Sequence, residues 1–359
     1  MRAVVLRQGE LVVDDVPEPR AAAGLMLCAV RACGICGSDL HAIRHGDLIP
    51  RAFAERPPSE PPRRVEPVVA DFADDVILGH EFCAEVLECG PDVEGFVPGD
   101  LVVSLPTMID ARGGHGLGWS NVYPGGFAER MVISADLATR VPNGLDPRVA
   151  ALTEPAAVGE HAVGAAGAGP GDGAIVLGAG PVGLMIVASL AARGVAPIVV
   201  SEPAAGRRAM AERVGAHHSV DPGAEEPVAV WHRFAERGQR VLIFEAAGVP
   251  GMIDAAIAMA PRRAELVVAG MCCEPDVISP LRAFRSELTM RFVAGYTRGE
   301  FAATVHQIAE GILDVAAITT GVVGLDDVPT VCDELLSPHA HGKVLVSAGT
   351  GTVDTADVV

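Results

Sequence analysis

Three short strings, far apart in a chain of 359 residues, carry side chains that together could hold a catalytic metal ion. They are Cys36-Gly37-Ser38-Asp39-Leu40-His41, Gly79-His80-Glu81 and Glu154-Pro155. A catalytic zinc takes three protein ligands from thiolate, imidazole and carboxylate and keeps one position open for water or substrate. Cys36, His80 and Glu154 offer one of each, and Glu81 stands beside His80 as a competing or outer carboxylate. Taken singly, each has an ordinary explanation: a core thiol, a hydrogen-bonded interior histidine, and a cap or turn residue before Pro155. Cys33-Gly34-Ile35-Cys36 can also be read as a redox pair, but that chemistry belongs to a βαβ setting, which residues 1–60 do not show.

A second constellation binds nucleotide. Gly178-Ala179-Gly180-Pro181-Val182-Gly183 follows the apolar run Ala174 to Leu177 and opens the apolar stretch Val182 to Arg193. In that context the first glycine makes the turn, the second lets backbone approach a pyrophosphate, and the third permits close helix packing. The phosphates then meet the free N–H groups of a helix start. About twenty residues further on, Glu202 ends the next apolar run, where a carboxylate bonds a ribose 2′-hydroxyl and repels a 2′-phosphate. NAD is therefore expected over NADP. Arg207 and Arg208 are either a solvated helix face or, if the turn folds back, contacts to a phosphate.

The elements that must position these groups change in texture along the chain. Up to about residue 150, short β segments (Leu11 to Val16, Leu25 to Arg31, Glu81 to Cys89, Asp100 to Ser104) are separated by Gly and Pro. Arg44 to Asp75, rich in Pro, Arg and Glu, is expected to be a long loop without regular helix or central strand. From Asp172, apolar β runs (Ala174 to Leu177, Pro197 to Ser201, Val241 to Phe244, Glu265 to Ala269) alternate with helical stretches (Val182 to Arg193, Gly206 to Val214). That alternation predicts an α/β fold with a doubly wound parallel sheet. A last segment holds a helix over Phe301 to Ile312 and β pieces ending at Lys343 to Val346, and the tail after Ala348 is expected to fray.

Composition sets the outer limits. Half the residues are apolar, enough for a large core and two domains. A formal charge of −19 and a pI near 4.9 argue against nucleic-acid or anionic-membrane surfaces, which select clustered Lys and Arg. The long uncharged run Gly173 to Ala192 is broken by glycines and a proline in its first half, which suits a strand, turn and helix better than a membrane span. The N-terminal Met1 to Arg7 alternates like a strand and lacks a signal-peptide core, so a cytoplasmic location is expected, with the eight cysteines as thiols.

Together, Cys33 to His41, Gly79-His80-Glu81, Gly125-Gly126-Phe127-Ala128-Glu129, Glu154-Pro155, the glycine motif and Gly342-Lys343-Val344 resemble one family. It is the zinc-dependent alcohol dehydrogenases of the medium-chain dehydrogenase/reductase superfamily, in the sorbitol, threonine and butanediol dehydrogenase branch. The match runs over nearly the whole chain. It implies a GroES-like β-rich catalytic domain over residues 1–155, a Rossmann domain over 156–297, a return segment over 298–359, and an active site in the cleft between the domains. It implies that Cys36, His80 and Glu154 bind zinc, with Glu81 able to replace Glu154, and that Lys343 joins Gly178, Gly180, Pro181, Val182, Gly183, Glu202 and Arg207 on the cofactor side. Ser38 would accept the proton of an alcohol or polyol and pass it through the nicotinamide ribose to His41. Asp39 is placed to accept the second N–H of His80. A homodimer or homotetramer is implied as well.

Departures from the family shape further expectations. Many members hold a structural zinc on four closely spaced cysteines, but no cysteine lies between Cys89 and Cys272, so one zinc per subunit is expected. The lobe from Asp110 to Asn121 must then be held by packing or be mobile, with His115 either solvated or a substitute ligand. The stretch from Asp39 to His80 exceeds the usual linker and is expected to wall the substrate cleft or mediate subunit contacts. Trp119 and Tyr123 are candidate pocket residues beside a plainer role in the core. A zinc-free quinone or enoyl reductase has no need of the Cys36, His80 and Glu154 set, and a non-catalytic NAD-binding protein gains nothing from a proton exit.

Overall fold

The computed structural model describes residues 1–55, 63–336 and 341–348. Among them, one compact unit takes residues 1–154, 321–336 and 343–348, and a second takes 155–320 with 341 and 342. The expected fraying after Ala348 lies outside the described residues.

The first unit opens with β1 (Arg2–Arg7) and β2 (Glu10–Asp15), an antiparallel hairpin. Its turn residues Gln8 and Gly9 both take positive φ, 52° and 86°, as a primed hairpin turn requires. The main sheet is built on β3 (Leu25–Gly34), which is buried along most of its length. Helices α1 (Gly37–His45) and α2 (Leu48–Ala54) follow β3. Next come β4 (Pro67–Val68), β5 (Glu81–Cys89), β6 (Leu101–Ser104), the hairpin of β7 (Thr107–Asp110) and β8 (Gly113–Gly116), β9 (Arg130–Ser134) and β10 (Ala138–Arg140). Short α3 (Pro147–Ala150) leads to α4 (Thr153–Ala165).

Helix α2 corrects the expectation of an unbroken loop. Pro50 is its third residue, within the first turn, where a backbone N–H has no intrahelical partner to lose. The proline-dense centre of that stretch, residues 56–62, lies outside the described residues.

In the second unit, β11 (Asp172–Leu177), α5 (Pro181–Ala192), β12 (Ile198–Ser201), α6 (Ala205–Arg213), β13 (His218–Val220), α7 (Pro227–Phe234), β14 (Arg240–Glu245), α8 (Met252–Met259), β15 (Glu265–Val268), α9 (Pro280–Ser286), β16 (Thr289–Phe292) and α10 (Arg298–Ala309) alternate. All strand pairs are parallel and the spatial order is β13-β12-β11-β14-β15-β16. Counted from the first strand this is 3-2-1-4-5-6, the dinucleotide-binding order. The uncharged run from Gly173 becomes β11, a turn and α5, and no helix among the described residues is long and apolar enough to cross a membrane.

The chain ends in β17 (Thr319–Val323), α11 (Val328–Leu335) and β18 (Lys343–Val346). These last strands complete the first unit's sheet in the order β10-β6-β5-β3-β18-β17, with β9 also on β3. The C-terminal strand thus lands beside the strand that leads into Cys36.

Candidate metal centre and dinucleotide turn

Strand register brings the first group together. In the antiparallel ladder of β3 with β5, Gly34 faces Glu81, so Cys36 and His80 lie just past the ends of adjacent strands. One donor atom from each of Cys36, His80 and Glu81 lies within 4.8 Å of the others. Cys36 is the N-cap of α1, and Asp39 three residues on accepts its backbone N–H at 3.0 Å. Asp39 is fully buried, also accepts Gly79 N–H at 3.4 Å, and lies 3.3 Å from His80 Nδ1. That last contact falls outside hydrogen-bond angles, so it orients the ring by charge. Nε2 points the other way, 3.4 Å from Ser38 Oγ. Burial pulls the His80 imidazole toward lower pKa, but Asp39 and Cys36 outweigh it and hold it well above the ordinary value.

The motif at Gly125 acts on His80 through backbone. Gly125, Gly126 and Phe127 donate N–H groups to the carbonyls of Ile77, Gly79 and Leu78 at 3.0, 2.7 and 3.0 Å. A Cβ at Gly126 would sit 2.6 Å from Cys33 Sγ, so the close approach requires glycine. Burial pushes the Cys33 thiol well above its ordinary pKa, and it packs under this crossing. The redox-pair reading of Cys33 and Cys36 gains nothing from such a site.

The chain's single lysine, expected on the cofactor side, pairs with a buried carboxylate. Lys343 is 1% exposed, and its ammonium donates to both oxygens of Glu81 at 2.7 Å and to the Ile35 carbonyl at 3.0 Å. Burial would lower its pKa, but Glu81, Cys36 and Glu154 raise it above the ordinary value. A Cβ at Gly34 would lie 2.0 Å from Glu81 Oε2, so glycine there makes room for the carboxylate. Glu154, in the first turn of α4, is outside the 4.8 Å group but close enough to act on the same ammonium. Ser38 and His41 occupy α1 one turn apart. Burial first, then His45 and Arg44, hold His41 below its ordinary pKa.

The glycine turn is built as its motif requires. Gly178 has φ 96°, and a Cβ on Gly183 would meet the Gly178 carbonyl oxygen at 2.1 Å. A Cβ on Gly180 would meet nothing within 4 Å, which leaves the N-cap of α5 open to a phosphate. Glu202 is buried at the end of β12 and accepts N–H groups from Ala179 and Ala204, each at 2.9 Å. Arg208 donates to the carbonyls of Glu202 and Pro203 at 2.7 and 2.6 Å, and Arg207 to that of His341 at 3.0 Å. Sequence reasoning missed Glu245 at the end of β14. It accepts from Ala247 and Gly248 N–H, both at 2.8 Å, and burial raises its pKa. Its signal was a lone acid closing an apolar run.

The chain resembles known proteins over nearly its whole length. Residues 22–143 match the alcohol dehydrogenase GroES-like domain and residues 181–310 the zinc-binding dehydrogenase domain. The chain is 32% identical over 352 residues to a (R,R)-butanediol dehydrogenase of Bacillus subtilis, covering 94% of this chain and 97% of that one. The chain belongs to the zinc-binding alcohol dehydrogenases. The crystal structure of 2R,3R-butanediol dehydrogenase from Bacillus subtilis superposes with a TM-score of 0.81 at 29% identity, covering 97% of this chain and 99% of that one. A putative zinc-binding dehydrogenase from Sinorhizobium meliloti, bound to NADP, superposes with 0.78 at 27% identity, covering 96% and 98%.

As a zinc-binding alcohol dehydrogenase it is a zinc-type oxidoreductase of small alcohols and polyols that uses a nicotinamide dinucleotide. The fold has the expected GroES-like and Rossmann parts. Donor atoms of Cys36, His80 and Glu81 fall into one group here, and Glu81 is also paired with the buried Lys343. Because removing one partner strands the other's charge, Lys343→Met should cost about 3–5 kcal/mol of stability. Glu81→Gln/Lys343→Met should lose much less. Thermal unfolding of the two variants checks this, and equal losses would mean the pair is not coupled.

Proposed function

We propose that this enzyme oxidises a secondary alcohol or polyol with NAD, using one zinc ion per subunit held by Cys36, His80 and Glu154. The closure of the Cys36, His80 and Glu81 donors within 4.8 Å, with Asp39 behind the imidazole and Glu154 acting on the same ammonium as Glu81, carries the reading. Thiolate, imidazole and carboxylate suit zinc, and Asp39 supplies the carboxylate partner that zinc-ligating histidines usually have. Glu154 is preferred over Glu81 as third donor because both Glu81 oxygens already accept from Lys343.

The bound ion would supply Lewis acidity that makes the alcohol proton easier to remove. Ser38, 9% exposed and beside His80 Nε2, accepts that proton through its hydroxyl. His41, on the same face of α1 one turn later, receives it, and its lowered pKa favours handing it on to solvent. A bound nicotinamide would supply the acceptor for the hydride.

Metal analysis of the purified protein should give about one zinc per subunit. Cys36→Ser and Glu154→Gln should lose zinc and alcohol turnover, whereas Glu81→Gln should retain the metal. Loss of zinc in Glu81→Gln with retention in Glu154→Gln would hand the third position to Glu81. A zinc-free protein that still reduces carbonyl or enoyl substrates would refute the reading.

The choice of NAD rests on Glu202, whose carboxylate at the end of β12 would meet a 2′-phosphate with like charge. Glu202→Ala should lower the ratio of kcat/KM for NAD over NADP by about tenfold, the scale of a single polar contact. An unchanged ratio would refute this role for Glu202, whatever the effect on stability.

The homo-oligomer implied by the family has a candidate surface in the second unit. All four residues of edge strand β16 are exposed, and Phe292, Phe284 and Val277 nearby are 65%, 81% and 83% exposed. An open edge with apolar side chains is a site for pairing with a second copy. Light scattering should report a dimer or larger for the intact chain and dissociation in Phe292→Glu. A monomeric wild-type enzyme would remove this part of the proposal.

A further inference from the structure

A metal-ligating imidazole is usually oriented by a hydrogen bond from its other nitrogen. At His80 that hold is electrostatic only, because Nδ1 lies 3.3 Å from Asp39 but outside hydrogen-bond angles. Nε2 reaches Ser38 Oγ at 3.4 Å. Charge sets which edge of the ring faces Asp39, and it resists rotation weakly. What bounds the ring from the side is Trp119, with ring centroids 5.6 Å apart and planes tilted by 53°.

Trp119 ends a turn whose two flanks are tied together by one histidine. Its N–H donates to the Gly116 carbonyl at 3.0 Å, His115 precedes the turn and Ser120 follows it. The Arg112 guanidinium holds the Asp110 carboxyl well below the usual carboxylate range, so Asp110 can only accept. It does so from His115 Nε2 and from Tyr123 O–H, each at 3.1 Å. In the neutral ring Nδ1 is then the acceptor, and Ser120 O–H donates to it at 3.4 Å. Ser120 Oγ also accepts from the N–H groups of Val122 and Tyr123 at 3.1 and 3.2 Å. His115 is 1% exposed, which corrects both expectations for it, a solvated loop residue or a substitute ligand.

The same turn bears on the backbone beside the ligand. Gly118, at φ 85°, packs so closely on Gly79 that an added Cβ would lie 3.1 Å from its backbone atoms. His80 is the next residue. Its main chain through Gly118, and its ring through Trp119, therefore both lean on the turn that His115 closes.

We propose that His115 is a positioning residue for the metal ligand His80, acting through the turn from Gly116 to Trp119. The inference rests on the zinc site of the proposed function and names what steadies it. Breaking the His115 bonds frees the turn, and the His80 ring then gains orientations that do not bind the ion.

His115→Phe keeps a ring at the edge-on contact with Tyr123, 5.1 Å between centroids, and removes both hydrogen bonds. Tyr123→Phe is the control, because it takes one donor from the same Asp110 and leaves the tie to Ser120 intact. Zinc release from the intact protein to a chromogenic chelator should be about tenfold faster in His115→Phe, the scale on which outer partners of a ligating histidine act, and change less than about twofold in Tyr123→Phe. Ser120→Ala removes the tie from its other end and should follow His115→Phe, which keeps the test open if His115→Phe does not fold. Release unchanged in His115→Phe and Ser120→Ala, or equally fast in Tyr123→Phe, would overturn the inference. In the metal-free protein, the 15N imidazole signals of His80, identified as those lost in His80→Asn, should move in His115→Phe and stay in place in Tyr123→Phe. Unmoved signals would overturn it as well. A wild-type protein that shows this pattern but takes up no zinc would count against the proposed function and for the positioning.

Discussion

The first unit depends on one buried ion pair, Glu81 with Lys343. Both side chains are 1% exposed, and the ammonium also reaches the carbonyl of Ile35. Desolvating two charges is costly, and a pair of this kind holds only when geometry and extra hydrogen bonds compensate. Those conditions bind three strands remote in sequence. Glu81 starts β5, Ile35 follows β3, and Lys343 starts β18, with Gly34 registered against both Glu81 and Leu345. A side chain at Gly34 would occupy the place of the carboxylate. The donors of Cys36 and His80 extend beyond these locked strand ends, so their separation is set by sheet register rather than by loop conformation.

The lobe of β4, β8 and β7 is organised by hydrogen bonds that converge on the Asp110 carboxylate. Asp110, His115, Ser120 and Tyr123 form a chain of hydrogen bonds, and such satisfied networks rigidify a small sheet. Arg112 adds a contact to Asp110 at the surface, where its energetic weight is small. The segments 117–119 and 125–127 both pack on Gly79, so the network and the glycine-rich motif converge on the residue before His80.

What could be read from the chain was local. Strand β5 starting at Glu81, strand β18 over Lys343 to Val346 and the glycine turn were legible because alternation, apolar runs and glycine geometry act within a few residues. The partner of Lys343 was not, since 262 positions separate it from Glu81 and a lone lysine carries no periodic signal. The burial of His115 was equally hidden. A histidine in a glycine-rich stretch looks solvated until Ser120 and Asp110 are brought to its two nitrogens by a hairpin. Helix α2 escaped notice because proline was read as a breaker without regard to position, and the first turn tolerates it.

The second unit solves a related problem with acids. Strands β12 and β14 flank β11, and each ends in a buried glutamate that accepts two backbone N–H groups from the loops around the glycine turn. Glu202 ties the turn itself through Ala179, while Glu245 holds Ala247 and Gly248. The backbone of Ala246 and Ala247 lies near 3 Å from where a Gly178 Cβ would project. The carboxylate that shapes the turn is also the one proposed to read a ribose hydroxyl. A change at Glu202 made to admit a 2′-phosphate would also release Ala179 N–H. On the proposed role of Glu202, cofactor preference and the geometry of the phosphate turn are coupled through one side chain, and switching the first without loss of the second requires a new acceptor for that N–H.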